Sequence, residues 1–284
     1  MKAPSFEYLR AETLEQVHSA LAKYGDDAII LAGGQSLMPI LNMRLSKPKV
    51  LIDINPINEL RGIELKEEIL KIGATSRHDD LASNPIVSKH LPLISSAIKQ
   101  VAHRGIRKRG TLGGSLSHAD PAAEMPACAV ALDATIILES CDGERRIKSD
   151  NFFQGVMTTE KRPNEILTAI EFPIQKVGDL WAFHELSLRH GDFALVGVAT
   201  TAKRSQNGIN NLKLVVFGCE ERPCASVIAA KMAISGANPV EIADEVSKQL
   251  NPMSDLSGNT HTKRIQARSL IERSLLDIHE GTNR

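Results

Sequence analysis

The chain has 284 residues, of which 42% are hydrophobic and 24% charged, and these proportions are ordinary for a globular protein with a substantial core. Its 34 Lys and Arg residues balance 34 Asp and Glu residues, so no overall field favours binding to nucleic acid or to an anionic membrane. The N-terminal segment has no apolar signal core and no later run is long enough for a membrane span, so we expect a cytoplasmic protein.

The spacing of cysteines and histidines argues against a metal centre. The four cysteines (Cys128, Cys141, Cys219 and Cys224) form no CxxC pair, and the nine histidines contain no HExxH pattern. Zinc and iron–sulfur sites need closely spaced ligands of these kinds. We therefore expect reduced, mostly buried thiols and no metal site in this chain.

The first fifty residues alternate between strand and helix patterns. The strand-like stretch PSFEYLRA precedes a helix that Thr13 begins, with Gln16 completing a capping box and Gly25 ending the helix. The strands AIILA and KVLIDI follow, separated by residues 33–48. This order predicts a small βαβ-like unit.

A glycine pair directly follows the strand AIILA. Gly33 and Gly34 precede Gln35 and Ser36 in the stretch LAGGQSL. Glycines let the backbone approach a ligand closely, and the amides that open the next helical turn favour an anion such as a phosphate group. An ordinary turn is the alternative interpretation.

Residues 63–173 combine hairpins with short helices. ELKEEILKIGATS predicts a hairpin that turns at Glu67 and Glu68, and helical patterns follow at 77–82 and 93–102. A basic run (HRGIRKRG), a second glycine loop (TLGGSLSH) and a turn (ADPAAE) then lead into a short helix and a strand. Asp142-Gly143 predicts another hairpin, and EILTAIEFP predicts the last strand of this region.

The pattern changes after Pro173. Three strands without intervening helices are predicted in WAFHELSLR, FALVGVATTAK and LKLVVFG. Two helices come later, one capped by Asn238 with Glu241 and one over residues 263–279. Strands followed by helices predict a separate α+β domain that begins between residues 173 and 180.

The second glycine loop repeats the character of the first. Gly113 and Gly114 again lie between an apolar residue, Leu112, and a small polar one, Ser115. Two such loops facing each other could hold the pyrophosphate and ribityl chain of a dinucleotide, although chance turns are the alternative. Neither loop matches G-x-G-x-x-G or a P-loop, so a Rossmann NAD reductase is disfavoured.

As a set, AGGQSL, LIDI, GTLGG, ADPAAE and RHGDFALVGVA make the chain resemble the FAD-binding medium subunit of the molybdenum hydroxylases, the family of carbon monoxide dehydrogenase and xanthine dehydrogenase. The resemblance covers essentially the whole chain. It implies an α+β fold with a two-subdomain FAD-binding fold of the vanillyl-alcohol-oxidase (PCMH) type at 1–55 and 56–175. A smaller α+β domain with a three-stranded sheet and helices would occupy 176–284.

The resemblance also implies which residues hold FAD. The first loop would wrap the pyrophosphate, the second would lie near the ribityl chain and phosphates, and Asp120 would bind sugar hydroxyls. Leu31 and Ile52 would be walls behind the loops, and the turn at 189–193 would reach the isoalloxazine ring. The expected cofactor-binding residues are Ala32, Gly33, Gly34, Gln35, Ser36, Leu37, Thr111, Gly113, Gly114, Ser115, His118, Asp120, Arg189 and Phe193.

Several of these positions have a purely structural alternative. Asp120 precedes Pro121 and could be only a helix N-cap, and His118 could be a surface histidine. Glu124 is expected to be a solvated or structural carboxylate. The turn at 189–193 could simply be a tight turn ahead of a core strand.

The basic run leaves two roles open. Arg107 either anchors the second loop or lies on the surface. Lys108-Arg109 stands where relatives commonly have Arg-Asn, so the resemblance implies no role for Lys108.

No nucleophile–base or acid–base pair stands out, so we expect no catalytic side chain, and FAD would carry the redox chemistry. The resemblance implies a large partner with a molybdenum–pterin cofactor and a small partner with two [2Fe–2S] clusters, assembled as a dimer of heterotrimers. Electrons would pass from the clusters through FAD to an external acceptor. A self-contained FAD oxidase or dehydrogenase, and a non-catalytic assembly subunit, are the alternatives. Neither the substrate of the complex nor its acceptor can be deduced from this chain.

Overall fold

The computed structural model describes residues 2–205, 208–256 and 258–282. The first sheet is parallel and three-stranded, in the order β1-β3-β2. Helix α1 begins where the Thr13 side chain accepts a hydrogen bond from the Gln16 amide. The Gln16 side chain accepts from the Glu12 amide, one residue before the position expected for a capping box. The elements are β1 (Glu7–Arg10), α1 (Leu14–Tyr24), β2 (Ala28–Leu31), α2 (Leu37–Asn42) and β3 (Val50–Asp53).

The second sheet is antiparallel and five-stranded, in the order β4-β5-β10-β6-β7. Both predicted hairpins are present, and Glu67 and Gly143 adopt the positive φ angles that tight hairpin turns use. The elements of this region are β4 (Ile63–Lys66), β5 (Ile69–Gly73), α3 (His78–Ser83), α4 (Pro85–His90), α5 (Pro92–Ala97), α6 (Arg104–Arg107), α7 (Leu112–His118), α8 (Glu124–Ala131), β6 (Thr135–Ser140), β7 (Gly143–Lys148), α9 (Ser149–Phe152), β8 (Phe153–Gly155), β9 (Thr158–Thr159) and β10 (Ile166–Pro173). Strands β8 and β9 pair with each other as a separate two-stranded sheet.

The third sheet is antiparallel, in the order β11-β12-β13-β14. Phe183 and Phe217 on this sheet join the apolar core of the second sheet and its helices, and their rings stack with centroids 5.8 Å apart. The last helix packs Leu270, Ile271 and Leu275 into a separate core with the same sheet. The elements are β11 (Asp179–Ser187), β12 (Ala194–Ser205), β13 (Gly208–Phe217), β14 (Cys224–Ala225), α10 (Val227–Ile234), α11 (Pro239–Gln249) and α12 (Thr260–Glu280).

Local signals predicted the longer elements, and several short ones were missed, among them α2, α6, α7, α9, β8 and β9. Pro85 and Pro92 each occupy the first turn of a new helix, so residues 85–97 form two helices, α4 and α5. The sequence had predicted a single helix in this region, at 93–102. Helix α10 and the two-residue strand β14 were also not predicted, so the third sheet has four strands rather than three. The three larger sheets lie within 7–53, 63–173 and 179–225, and the domain limits given above stay predictions.

Candidate cofactor site

A cleft of about 670 Å³ lies where segments of all three parts of the chain meet, and its volume is within the range of about 300–1,000 Å³ typical of ligand and cofactor sites. Apolar side chains such as Ile29, Ile40 and Ile54 form part of its wall. All the predicted cofactor-binding residues except Arg189 line it. The chain thus brings together groups that are far apart in sequence around a single space.

The first glycine loop leaves β2 and offers a row of free amides to the cleft. Among the described residues, no protein acceptor pairs with the backbone N–H groups of 33–37, and the first paired amide is that of Met38, which donates to the Gly34 carbonyl. Gly34 has a φ of +71°, a conformation that favours glycine. Successive unpaired amides in such a turn form an anion-binding nest. Gln35 folds back on this loop, since its side-chain amide donates to the Gly33 carbonyl at 3.1 Å.

The second glycine pair lies in a helix and not in a loop. Thr111 caps α7 by accepting the Gly114 amide at 3.2 Å, and the Gly113 amide donates to the Ala74 carbonyl at 2.9 Å. A Cβ at position 113 would lie 2.6 Å from the Ala74 side chain, so this glycine lets the helix approach the end of β5. The amides here are therefore already paired. The hydroxyl proton of Thr111 and the side chain of Ser115 are what this segment offers a ligand.

Asp120 is not the N-cap of the next helix, because α8 begins at Glu124 with Ala123 as its N-cap. One Asp120 carboxylate oxygen accepts the Ala122 amide at 2.9 Å, and the other lies 4.0 Å from Nε2 of His118. Both side chains line the cleft. His118 is accordingly a half-buried cleft residue, and the second Asp120 oxygen is free to accept a hydroxyl.

Glu124 is buried, contrary to the interpretation as a solvated group. It is 8% exposed on a helix whose every residue is buried, and it lines the cleft. Desolvation, with the charges of Glu185 and Asp120 adding to it, raises the pKa of Glu124 to about 8. Burial also raises the pKa of Glu185 to about 7, and its Oε2 has no hydrogen-bond partner among the described residues. The cleft therefore contains a carboxyl group that keeps its proton at neutral pH.

His78 is a cleft residue that the sequence did not single out. It is 5% exposed and lines the cleft beside Gly110, and within the described part of the chain neither ring nitrogen forms a hydrogen bond. Burial lowers its pKa to about 4, so the imidazole is neutral, with one donor and one acceptor. Unpaired buried polar atoms cost free energy unless a ligand or water satisfies them. The only sequence signal is its position at the start of the helix predicted over 77–82, just after the predicted hairpin.

The turn at 189–193 contributes one of its two predicted residues. Phe193 lies at the mouth of the cleft and is 70% exposed. Arg189 is exposed and does not line the cleft. Its carbonyl closes a tight turn by accepting the Asp192 amide at 3.0 Å. Arg189 is thus a turn residue in this structure.

Three further predictions concern the surroundings of the cleft. Arg107 is an anchor, since Nη1 donates to the carbonyls of Val101 at 2.9 Å and Ala102 at 2.7 Å. Lys108 is exposed. Leu31 lies directly behind the first glycine loop, since a Cβ on Gly34 would be 3.2 Å from its Cδ1, and Ile52 is fully buried in the core of the first sheet.

Among the described residues, no group of three or more His, Cys, Asp or Glu side chains is arranged to hold a metal ion. In the same part of the chain, none of the helices combines the length and apolar character needed to cross a bilayer.

Comparison with known proteins gives consistent matches. Residues 4–175 match the family model described as the FAD binding domain in molybdopterin dehydrogenase. The chain is 36% identical over 283 residues to 6-hydroxypseudooxynicotine dehydrogenase complex subunit alpha of Paenarthrobacter nicotinovorans, covering 97% of this chain and 95% of that one. It is 36% identical over 282 residues to the glyceraldehyde dehydrogenase medium chain of Sulfolobus acidocaldarius, covering 98% and 100%.

The structure is also similar to solved ones. It superposes on a chain of carbon monoxide dehydrogenase from Hydrogenophaga pseudoflava with a TM-score of 0.95 and 32% identity, and 99% of each chain is covered. That structure is described as lacking the Mo-pyranopterin moiety of its molybdenum cofactor.

Proposed function

The chain belongs to the family of FAD-binding domains of molybdopterin dehydrogenases, and we propose that it is the FAD-binding electron-transfer subunit of a multi-subunit molybdenum hydroxylase. The single observation that carries this proposal is the row of unpaired amides at 33–37 opening onto a cleft of about 670 Å³. The names of its relatives support the assignment to a complex, since one is a complex subunit and another a medium chain.

The residues of the cleft fit FAD. The amides of 33–37 would donate to its pyrophosphate, which needs several donors at once. The Thr111 hydroxyl and Ser115 would approach the same group or the ribityl chain from the other side. Asp120 would accept from a sugar hydroxyl through its free carboxylate oxygen, and apolar residues such as Ile40 and Ile54 would cover the flat rings.

FAD accepts and releases electrons one or two at a time, and this is the chemistry that it supplies when bound. The protein binds, orients and shields it. Phe193 lies at the exposed end of the cleft, where an aromatic face can pack against a flat ring. Glu124 holds a proton on its carboxyl inside the cleft at neutral pH, which avoids adding a negative charge beside a negatively charged cofactor.

The electrons would come from outside the chain. We place a molybdenum–pterin cofactor in a large partner subunit and two [2Fe–2S] clusters in a small one, within a dimer of heterotrimers in the cytoplasm. The clusters would pass electrons to FAD in this chain, and an external acceptor would take them from the flavin.

Spectroscopy of the purified chain tests the proposal. After incubation with FAD and gel filtration, we expect an oxidised-flavin spectrum at about one FAD per chain. Gly33→Val should abolish binding because its Cβ would overlap the Arg109 carbonyl. Gly105→Val is the matched control, since nothing lies within 4 Å of a Cβ at that position. A chain that stays colourless, alone and when co-purified with its partners, would contradict the proposal.

A further inference from the structure

Two cleft-lining segments touch each other behind the cleft. We call the contact between 32–33 and 109–111 the loop junction. A Cβ on Gly33 would overlap the Arg109 carbonyl oxygen and would lie 2.9 Å from the Cα of Gly110. Because the two backbones are in direct contact, their spacing depends on the groups that hold them from behind.

Asn55 holds the first side of the loop junction. Its side-chain amide donates to the Ala32 carbonyl at 2.8 Å and to a carboxylate oxygen of Asp53 at 2.6 Å. Its backbone amide donates to the same Asp53 oxygen at 2.9 Å. The hydroxyl of Tyr8 donates to the other Asp53 oxygen. The carbonyl just before Gly33 is therefore tied to the end of the parallel sheet.

Arg77 links Asn55 to the second side of the loop junction, residues 109–111. One terminal nitrogen donates to the side-chain oxygen of Asn55, and the other donates to the Arg109 carbonyl. The flanking backbone is fixed too, since the His78 amide donates to the Gly110 carbonyl at 3.0 Å. A planar guanidinium can serve two acceptors in different directions, which a lysine ammonium on the same stem cannot reproduce.

Arg77 also brings positive charge to the loop junction. It is half-buried, and desolvation lowers its pKa below the ordinary arginine value, with the nearby charges of Arg61 and Arg109 adding to this effect. The carboxylates of Asp80 and Asp53 act on Arg77 in the opposite direction, so the charges around the loop junction largely offset each other and Arg77 acts there chiefly through its hydrogen bonds. Neither Arg77 nor Asn55 lines the cleft, so each acts through the loops.

We propose that Arg77 and Asn55 are positioning residues that lock the two sides of the loop junction together and thereby set the geometry in which the amides of 33–37 meet the FAD pyrophosphate. This inference rests on the proposed function for the identity of the ligand. The lock itself is a property of the chain without its cofactor.

The test compares Arg77→Met and Arg77→Lys with a matched control, Arg104→Met, which removes an exposed arginine that pairs with Asp79. Hydrogen exchange of the cofactor-free chains is measured first. In both Arg77 variants we expect faster exchange of the hydrogen-bonded amides beside the loop junction, those of Met38, His78, Arg109 and Gly110, with the rest of the chain and the control unchanged. FAD titration should then show affinity at least about tenfold weaker for both variants, because two charge-assisted hydrogen bonds are lost.

The inference is overturned if exchange at the loop junction is unchanged in Arg77→Met, if exchange rises throughout the chain, or if Arg77→Lys binds FAD as the wild type does. The last result would mean that charge alone matters. If Arg77→Met does not fold, Arg77→Lys and Asn55→Ala give the same two measurements. Failure of the wild type to bind FAD would refute the proposed function, and the exchange comparison would still decide whether the lock exists.

Discussion

Glu124→Gln should change how the stability of the cofactor-free chain depends on pH. The folded chain holds a proton on Glu124 up to about pH 8, whereas the unfolded chain releases it near 4.5. Between these values the folded state binds more protons, so its stability falls as pH rises through this window and levels off above about 8. Over the whole window this is worth about 5 kcal/mol, at about 1.4 kcal/mol per pH unit.

Glutamine has no charge to lose, so the variant escapes this cost. Relative to the wild type, the free energy of unfolding of Glu124→Gln should rise by about 3 to 4 kcal/mol between pH 5 and pH 8. Urea denaturation at several pH values measures it, followed by the fluorescence of the single tryptophan, Trp181, which packs against the core that contains α8. Glu59→Gln, at an exposed position, is the control and should differ from the wild type by the same amount at every pH.

The result that refutes this reasoning is a Glu124→Gln difference that stays constant or shrinks as pH rises. Either result would mean that Glu124 is ionised in the folded chain at neutral pH. A cation or a set of donors would then have to offset the burial and the neighbouring charges of Glu185 and Asp120.

Three other substitutions give independent tests. His78→Leu should weaken FAD binding about tenfold by calorimetry while leaving the cofactor-free chain at least as stable, because it removes two unpaired buried nitrogens; a large loss of stability with unchanged affinity would contradict this. Phe193→Ala should leave the melting temperature unchanged, since the ring is 70% exposed, and should make the bound flavin more fluorescent; unchanged fluorescence would place the flavin ring elsewhere. Arg107→Met should cost about 1–3 kcal/mol in denaturation experiments, because it strips the carbonyls of Val101 and Ala102 of their donor; a change below about 0.5 kcal/mol would show that water replaces it.

The predictions that succeeded rest on short-range signals. Asn238 and Glu241 form the capping box of α11, and both partners of that motif lie within four residues. The hairpin at Asp142-Gly143 likewise needs only a turn residue able to adopt a positive φ. The succession along the chain of a βαβ-like unit, a region of hairpins and a run of strands followed by helices was likewise predicted from the sequence pattern.

What the sequence could not predict depends on contacts between distant residues. Gly113 reads as a loop glycine, but the close approach of Ala74 determines its role. Glu124 reads as a solvated or structural carboxylate, and it is the packing of the third sheet, which carries Glu185, that helps to bury it and keep it protonated. His78 carries no motif that would mark it, because its unpaired nitrogens are visible only once the cleft exists. The predicted cofactor contacts themselves stay predictions until FAD binding is measured.

The most direct test of the central claim is whether electrons enter the flavin from a partner protein. The FAD-loaded chain would be mixed under anaerobic conditions with the iron–sulfur partner subunit, previously reduced with dithionite and desalted, while flavin absorbance is followed. The account predicts that the reduced partner bleaches the flavin and that small organic substrates alone do not. Bleaching by an organic substrate without any partner, or no bleaching by the reduced partner, would contradict it.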